Sequence, residues 1–172
     1  MRDSAGAERL APLLYVSPSQ INFEVPAGTI PGDITVDILS GATTITVASQ
    51  VRTVAPGLFT LPGNIAAAFG TRIEADGSQT VLPAGAPIAL DDRPVYLSLF
   101  GTGVRGLSSV DNVTVTIGGL DAQVTYAGPQ GITPGLDQIN VLLPAALKGA
   151  GNVSLLLTVD GVSANKVIVD FN

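Results

Sequence analysis

The residues able to do chemistry in this chain are few, and most are carboxylates. Asp91-Asp92, between Leu90 and Arg93-Pro94, offer oxygen atoms of the kind calcium binds, roughly six to eight at a time. No Asp-x-Asp-x-Asp-Gly pattern surrounds them, so the pair reads as a solvated turn ahead of a strand. Asp121 and Asp137 flank Tyr126 and could in principle serve as a general acid and base. Nothing in their spacing brings them together, and a sugar-cleaving site would normally add aromatic platforms that a chain without Trp lacks.

Gln20/Asn22 and Gln138/Asn140 form a repeated pattern. Each pair alternates with an isoleucine, Ile21 or Ile139, so both polar side chains share one face of a strand while Ile enters the core. Such a strip could bind a polar ligand. Its occurrence twice in one chain favours a structural task instead, hydrogen bonding to the neighbouring loop backbone and pinning a Tyr-x-x-Pro turn. Gly101-Thr102-Gly103 and Gly118-Gly119 resemble phosphate loops only superficially, because neither leads into a helix N-terminus with a lysine. They read as turns or bulges. Tyr15, Tyr96 and Tyr126 could stack on sugars, yet Tyr15 and Tyr126 sit at matching places before a proline, which suits a packed corner.

Composition narrows the chemistry further. The 172 residues contain no His and no Cys. Ser-His-Asp and Cys-His nucleophilic sites, ordinary zinc sites and redox thiol pairs are therefore excluded. Eight Lys and Arg against 14 Asp and Glu leave a formal charge of −6, unsuited to nucleic acid. Only 13% of residues are charged, against about 25% in an average globular protein. With 46% hydrophobic residues the chain is the opposite of a disordered one. It has no apolar run long enough to span a membrane as a helix, and Met1–Arg9 is charged without the apolar centre of a secretory signal. No catalytic, cofactor-binding or metal-ligating residue is assigned, and the expectation is a protein that is not an enzyme.

The elements positioning these residues have a period of two. Ile34-Thr35-Val36-Asp37-Ile38 and Val113-Thr114-Val115-Thr116-Ile117 alternate apolar with polar, as do the series Val153, Leu155, Leu157, Val159 and Val167, Val169, Phe171. Each is bounded by turn residues: Ser40-Gly41, Asp76-Gly77, Gly118-Gly119 or Asp160-Gly161. Only Ala145–Lys148, after Pro144, suggests a helical turn. Short β-branched strands separated by Gly, Pro, Asn and Asp predict an all-β chain of antiparallel sandwich type.

An internal repeat organises these strands. Tyr15-Val16-Ser17-Pro18, Gln20-Ile21-Asn22, the strand Ile34–Ile38, Ser40-Gly41 and a run from Thr44 to Val54 make the first copy. Tyr126-Ala127-Gly128-Pro129, Gln138-Ile139-Asn140, Val153–Val159, Asp160-Gly161 and Lys166–Phe171 make the second, with Gln130–Leu136 inserted. The second copy is preceded by the strands Val95–Phe100 and Val113–Ile117. The first lacks an equivalent of the former and most of the latter, and its Asp3-Ser4-Ala5-Gly6 matches the Gly118-Gly119 turn. The reading is two immunoglobulin-like antiparallel β-sandwich modules: residues 1–55, lacking the opening strand, and residues 56–172, in which 56–94 is a joining segment adding a hairpin. An open apolar groove in the first module is expected to recruit a strand. That strand would come from upstream chain, from residues 56–94, or from another molecule, with Leu10–Leu14 or Val167–Phe171 as candidate donors. Donation between identical copies is head-to-tail and would build a filament.

At these residues the chain resembles a known family. The segments Tyr15-Val16-Ser17-Pro18-x-Gln20-Ile21-Asn22-x-x-Val25-Pro26, Ala55-Pro56-Gly57-Leu58-Phe59, Ala75-Asp76-Gly77-Ser78, Phe100-Gly101-Thr102-Gly103, Tyr126-Ala127-Gly128-Pro129 and Leu136-Asp137-Gln138-Ile139-Asn140 are similar to a C-terminal domain of large Solibacter-type acidobacterial proteins. The second copy also resembles the immunoglobulin-like TIG (IPT) module. The resemblance implies export, a multidomain context and an extracellular or cell-surface location; it supplies no activity. The expected role is a non-catalytic structural or adhesive module with no cofactor, partnered by neighbouring domains or identical subunits through strand addition. The alternatives are a filament subunit and a carbohydrate-binding module.

Overall fold

The structure is a computed structural model describing residues 1–172. The chain divides into two compact units, Met1–Thr53 and Val54–Asn172. The boundary falls two residues before the expected one. Val54 is buried in the second unit's core, and the Ala55 N–H donates to the Gly103 carbonyl at 2.9 Å. Apart from two single-turn 3-10 helices, one at Val110–Asn112 and the other at the suspected Ala145–Leu147, all regular structure is β. The all-β expectation is met.

The first unit contains β1 (Leu13–Val16), β2 (Ile21–Phe23), β3 (Gly32–Ser40) and β4 (Thr43–Val51). These make two separate two-stranded sheets, β1-β2 and β3-β4. Alternation decides the faces of the longer hairpin. Val36 lies opposite Val47 and Ile38 opposite Ile45 on one face, while Asp37 faces Thr46 and Asp33 faces Gln50 on the other. The polar face is tied across the strands, Thr46 donating to Asp37 at 2.6 Å and Gln50 to Asp33 at 2.8 Å. The apolar face has little to pack on, and Ile34 is the one buried aliphatic residue of the unit.

The second unit runs β5 (Gly57–Leu58), β6 (Thr60–Leu61), β7 (Ile65–Ala66), β8 (Ala68–Ile73), β9 (Gln79–Leu82), β10 (Val95–Thr102), β11 (Val113–Ile117), β12 (Leu120–Pro129), β13 (Asp137–Leu142), β14 (Gly151–Val159), β15 (Val162–Ser163) and β16 (Val167–Phe171). One curled sheet follows the order β6-β7-β16-β14-β11-β12-β13-β10-β8-β9. β12 joins its two halves: Leu120–Ala122 pair with β11, and Gln123–Pro129 with β13, with a bulge between Val124 and Tyr126. A bulge bends the strand and strengthens its twist, letting a single strand serve both halves. The inward positions Leu97, Leu99, Ile139, Val141, Leu155, Leu157, Val167 and Phe171 are at most 1% exposed and belong to one core.

The joining segment does more than add a hairpin. β8 and β9 extend the sheet beyond β10, whereas β7 and Ile88 lie along β16. Both contacts with β16 are parallel, so the sheet is mixed rather than wholly antiparallel.

The internal repeat reappears as a common register. Tyr15 faces Asn22 and Val16 faces Ile21; Tyr126 faces Asn140 and Ala127 faces Ile139. Both hairpins carry a bulge at the residue before the tyrosine, between Leu13 and Tyr15 and between Val124 and Tyr126. In the following hairpins Gly32 faces Val51 and Val36 faces Val47, as Gly151 faces Phe171 and Leu155 faces Val167. The expected first turn also forms: the Gly6 N–H donates to the Asp3 carbonyl at 2.9 Å, and Arg2 bridges Glu8.

Candidate functional site

Three of the sequence motifs meet at one corner of the second unit. β10 runs through Phe100-Gly101-Thr102, and β5 pairs with its end, Leu58 opposite Gly101 and Gly57 opposite Thr102. The Phe59 N–H donates to the Phe100 carbonyl at 2.9 Å. The approach is so close that a Cβ on Gly101 would lie 2.3 Å from the Gly57 carbonyl oxygen, and one on Gly103 2.0 Å from that of Ala55. Gly103 also has φ +74, where other residues are strained. Asn165 closes the corner, its amide oxygen accepting from the Leu58 N–H at 2.8 Å and its amide nitrogen donating to the Leu58 carbonyl at 3.1 Å.

The third motif enters from β13. Asp137 follows the same inward alternation as Ile139 and Val141, and its side chain is fully buried. Its Oδ2 accepts the N–H groups of Val104 at 2.8 Å and Arg105 at 3.2 Å, and its Oδ1 accepts Arg105 Nε at 2.8 Å. Arg105 also reaches the Leu136 carbonyl at 3.2 Å. Burying polar oxygens is costly without hydrogen-bond partners, and these partners hold the chain where it leaves β10. The reading from sequence missed this role, although the alternation of Asp137 with Ile139 and Val141 already pointed the carboxylate inward.

Asp121 is not brought to Asp137. It faces Thr116 near the start of β12, whereas Asp137 faces Pro129 at its end. Eight residues of strand separate those points, about 26 Å at the usual rise. Asp91 is engaged by Arg93, accepting from its backbone N–H at 2.9 Å and from Nε at 3.0 Å, and Arg93 also contacts Glu74. Hydrogen bonds from the Arg93 side chain, then from its backbone, hold the Asp91 carboxyl well below the ordinary range. Asp91 in turn holds the Arg93 guanidinium above its usual value.

The glutamine–asparagine pairs share a face as expected but bond differently. Gln20 donates to Asn22 at 2.7 Å and Gln138 to Asn140 at 2.8 Å. Each pair is bonded within itself, not to the turn backbone as expected. The turn is held instead by Tyr126, whose hydroxyl donates to the Pro129 carbonyl. Tyr15 and Tyr126 remain half exposed, and Tyr96 lies in β10 opposite Leu142 and Thr71. Gly118 and Gly119 form the tight β11–β12 turn, both with positive φ.

A shallow polar recess lies elsewhere on the second unit, lined by Ser108, Asp111, Asn112, Thr114, Thr158 and Asp160. Sequence reading gave Asp160 only a turn role. Its carboxylate accepts the Ser108 N–H at 2.9 Å and hydroxyl at 2.5 Å, with the hydroxyl foremost in holding its pKa below the usual range. A carboxylate so held is a weak base at neutral pH.

The two expected strand donors are both engaged. Val167–Phe171 lies between β14 and β7, with Phe171 1% exposed. Leu10–Leu14 runs into β1, which pairs with β2. No family model, no curated protein and no solved structure matches this chain, so its function is read from its own geometry.

Proposed function

We propose that this chain is a non-catalytic structural or adhesive β-module of an exported bacterial protein, working at the cell surface or outside it. One observation carries the reading. The groups able to do chemistry are taken up in internal bonds: Asp137 holds Val104 and Arg105, Asp91 holds Arg93, and Asp160 holds Ser108, while Gln138 is bonded to Asn140 within its own strand. This is the pattern of a scaffold whose polar groups fix a shape. Immunoglobulin-like character of both modules, and membership of the Solibacter-type C-terminal family, belong to the same proposal. They are supported by the shared strand register of the two copies and by the meeting of Ala55–Phe59, Phe100–Gly103 and Leu136–Asn140 at one corner.

A polysaccharide pull-down with the full chain tests the proposal against carbohydrate binding. Retention no greater than that of an inert control is expected. Saturable retention that disappears in Tyr96→Ala or Tyr126→Ala would replace the structural reading with a carbohydrate-binding one.

A further inference from the structure

We propose that the Met1–Thr53 unit is a strand acceptor whose open β2 and β3 edges take up an extended segment with the chemistry of β10 and β11, supplied by polypeptide outside residues 1–172. The inference rests on the structural reading above and names the partner of that scaffold.

The second unit provides the template. The edge of β13 not paired with β12 carries β10, with Leu97 opposite Val141, Ser98 opposite Asn140 and Leu99 opposite Ile139. The matching residues of β2 are Phe23, Asn22 and Ile21, and their corresponding edge carries no strand. The accepted strand therefore presents apolar, small polar and apolar side chains in that order. β14 likewise takes β11, with Val115 opposite Leu157 and Ile117 opposite Leu155. The edge of β3 carries only Arg2, whose N–H donates to the Thr35 carbonyl at 2.8 Å, as that of Gly118 does to Ser154 at 2.9 Å. The β10–β13 interface thus extends, residue by residue, to an edge left open in the first copy.

Exposure agrees with the register. Val141 and Val167 are 0% exposed, and their counterparts Phe23 and Val47 are 37% and 46% exposed. Eleven of the 19 large apolar residues left exposed lie in this unit, under a third of the chain. Those on β1, β2, β3 and β4 leave apolar side chains uncovered beside the open edges. Strand addition is a recurring way to cover such an edge. A second copy of this chain is a poor donor. Releasing β16 would open the second unit's core, and releasing Leu10–Leu14 would undo the acceptor itself.

The test is hydrogen–deuterium exchange on the full 172-residue chain, with and without a synthetic peptide of the Val95–Thr102 sequence carrying lysines at its ends for solubility. Saturating peptide is expected to slow exchange at Ile21–Phe23 roughly tenfold or more. The same peptide with Leu97→Asp and Leu99→Asp, which places charge on the inward face, is expected to have no effect. The proposal is overturned if neither peptide slows exchange, or if both do so equally. It is also overturned if these amides are already protected in a monomer, which means the edge folds in on its own chain, or if protection grows with protein concentration alone, which means a second copy occupies it. Sugar retention dependent on Tyr96 or Tyr126 removes the structural reading without touching this result, and a silent peptide leaves the structural reading standing.

Discussion

Arg105 Nε donates to Oδ1 of the fully buried Asp137 at 2.8 Å, while the other carboxylate oxygen holds the N–H groups of Val104 and Arg105. The two partners are unequal. The Arg105 side chain is 39% exposed, so water can replace part of what it gives, whereas Asp137 and Val104 have no access to water. Asp137→Ala leaves a buried N–H without an acceptor and is expected to destabilise the second unit by about 3 kcal/mol. Arg105→Ala leaves both backbone donors in place and is expected to cost about 1–2 kcal/mol. Urea unfolding followed by far-UV circular dichroism ranks them; an equal or larger loss for Arg105→Ala would show that the guanidinium, not the backbone anchor, is the main support.

The glycines at this corner differ in kind from those in turns. A Cβ at Gly103 meets the Ala55 carbonyl at 2.0 Å, whereas at Gly131, also at positive φ, it meets nothing within 4 Å. Gly131→Ala is expected to cost only the left-handed backbone penalty, about 1–2 kcal/mol. Gly103→Ala adds displacement of the 55–59 segment and is expected to cost more than about 3 kcal/mol. Comparing the melting temperatures of the two variants checks the difference.

Strands, turns and the repeat were legible because they are local: alternation sets the face and Gly, Asn and Asp mark the ends. Even the small Asp3–Gly6 turn could be placed by its match to Gly118-Gly119. What joins the motifs was not legible. Gly57, Gly101 and Asp137 are tens of residues apart, and their meeting depends on β5 and β13 flanking β10, a pairing that periodicity does not encode. The glutamine–asparagine pairs show the same limit on a smaller scale. Alternation placed both side chains on one face, but the choice between bonding each other and bonding the loop is decided by rotamers.

Acid is expected to weaken the second unit through specific carboxylates. Glu74 is held below the ordinary range first by the Thr80 hydroxyl and then by Arg93; Asp160 is held down first by Ser108. A depressed carboxylate binds fewer protons folded than unfolded. Its contribution is therefore complete above the unfolded value, about 4, and is lost as pH falls through the folded value. The melting temperature is expected to be level from neutrality to about pH 5 and to decline below about pH 4. Glu74→Gln with Asp160→Asn lowers stability at neutrality and flattens the acid decline. A decline of unchanged slope in that double variant would place the acid sensitivity on other groups. Arg93, with its pKa raised, stays charged throughout and adds no slope.

The two units differ most in what holds them closed. In the second, strands from both halves of one curled sheet share a core that includes Leu97, Ile139, Leu155 and Phe171, all at most 1% exposed. In the first, each sheet has only two strands, and a two-stranded hairpin is marginal in water unless a further strand or layer covers its apolar face. Its firmest internal tie is polar: Asp3 accepts N–H groups of Ala5 and Ala7 and pairs with Arg9 at 2.5 Å. Burial pushes the Asp3 carboxyl up, but the hydrogen bonds from Ala7, Arg9, Ile30 and Ala5 together outweigh it and hold it below the usual range. Amides of β3 and β4 are therefore expected to exchange through local opening, at rates well above those of β10 and β13, which open only with the whole unit. A second contrast separates this cause from mere position in the chain. Val47→Asp, at a 46% exposed site, is expected to leave the second unit's melting temperature unchanged, whereas Val141→Asp, at a fully buried one, is expected to unfold that unit. Equal protection of β3 and β10 in the same sample would mean that the first unit is closed in solution, and that its apolar face has found a cover within the 172 residues.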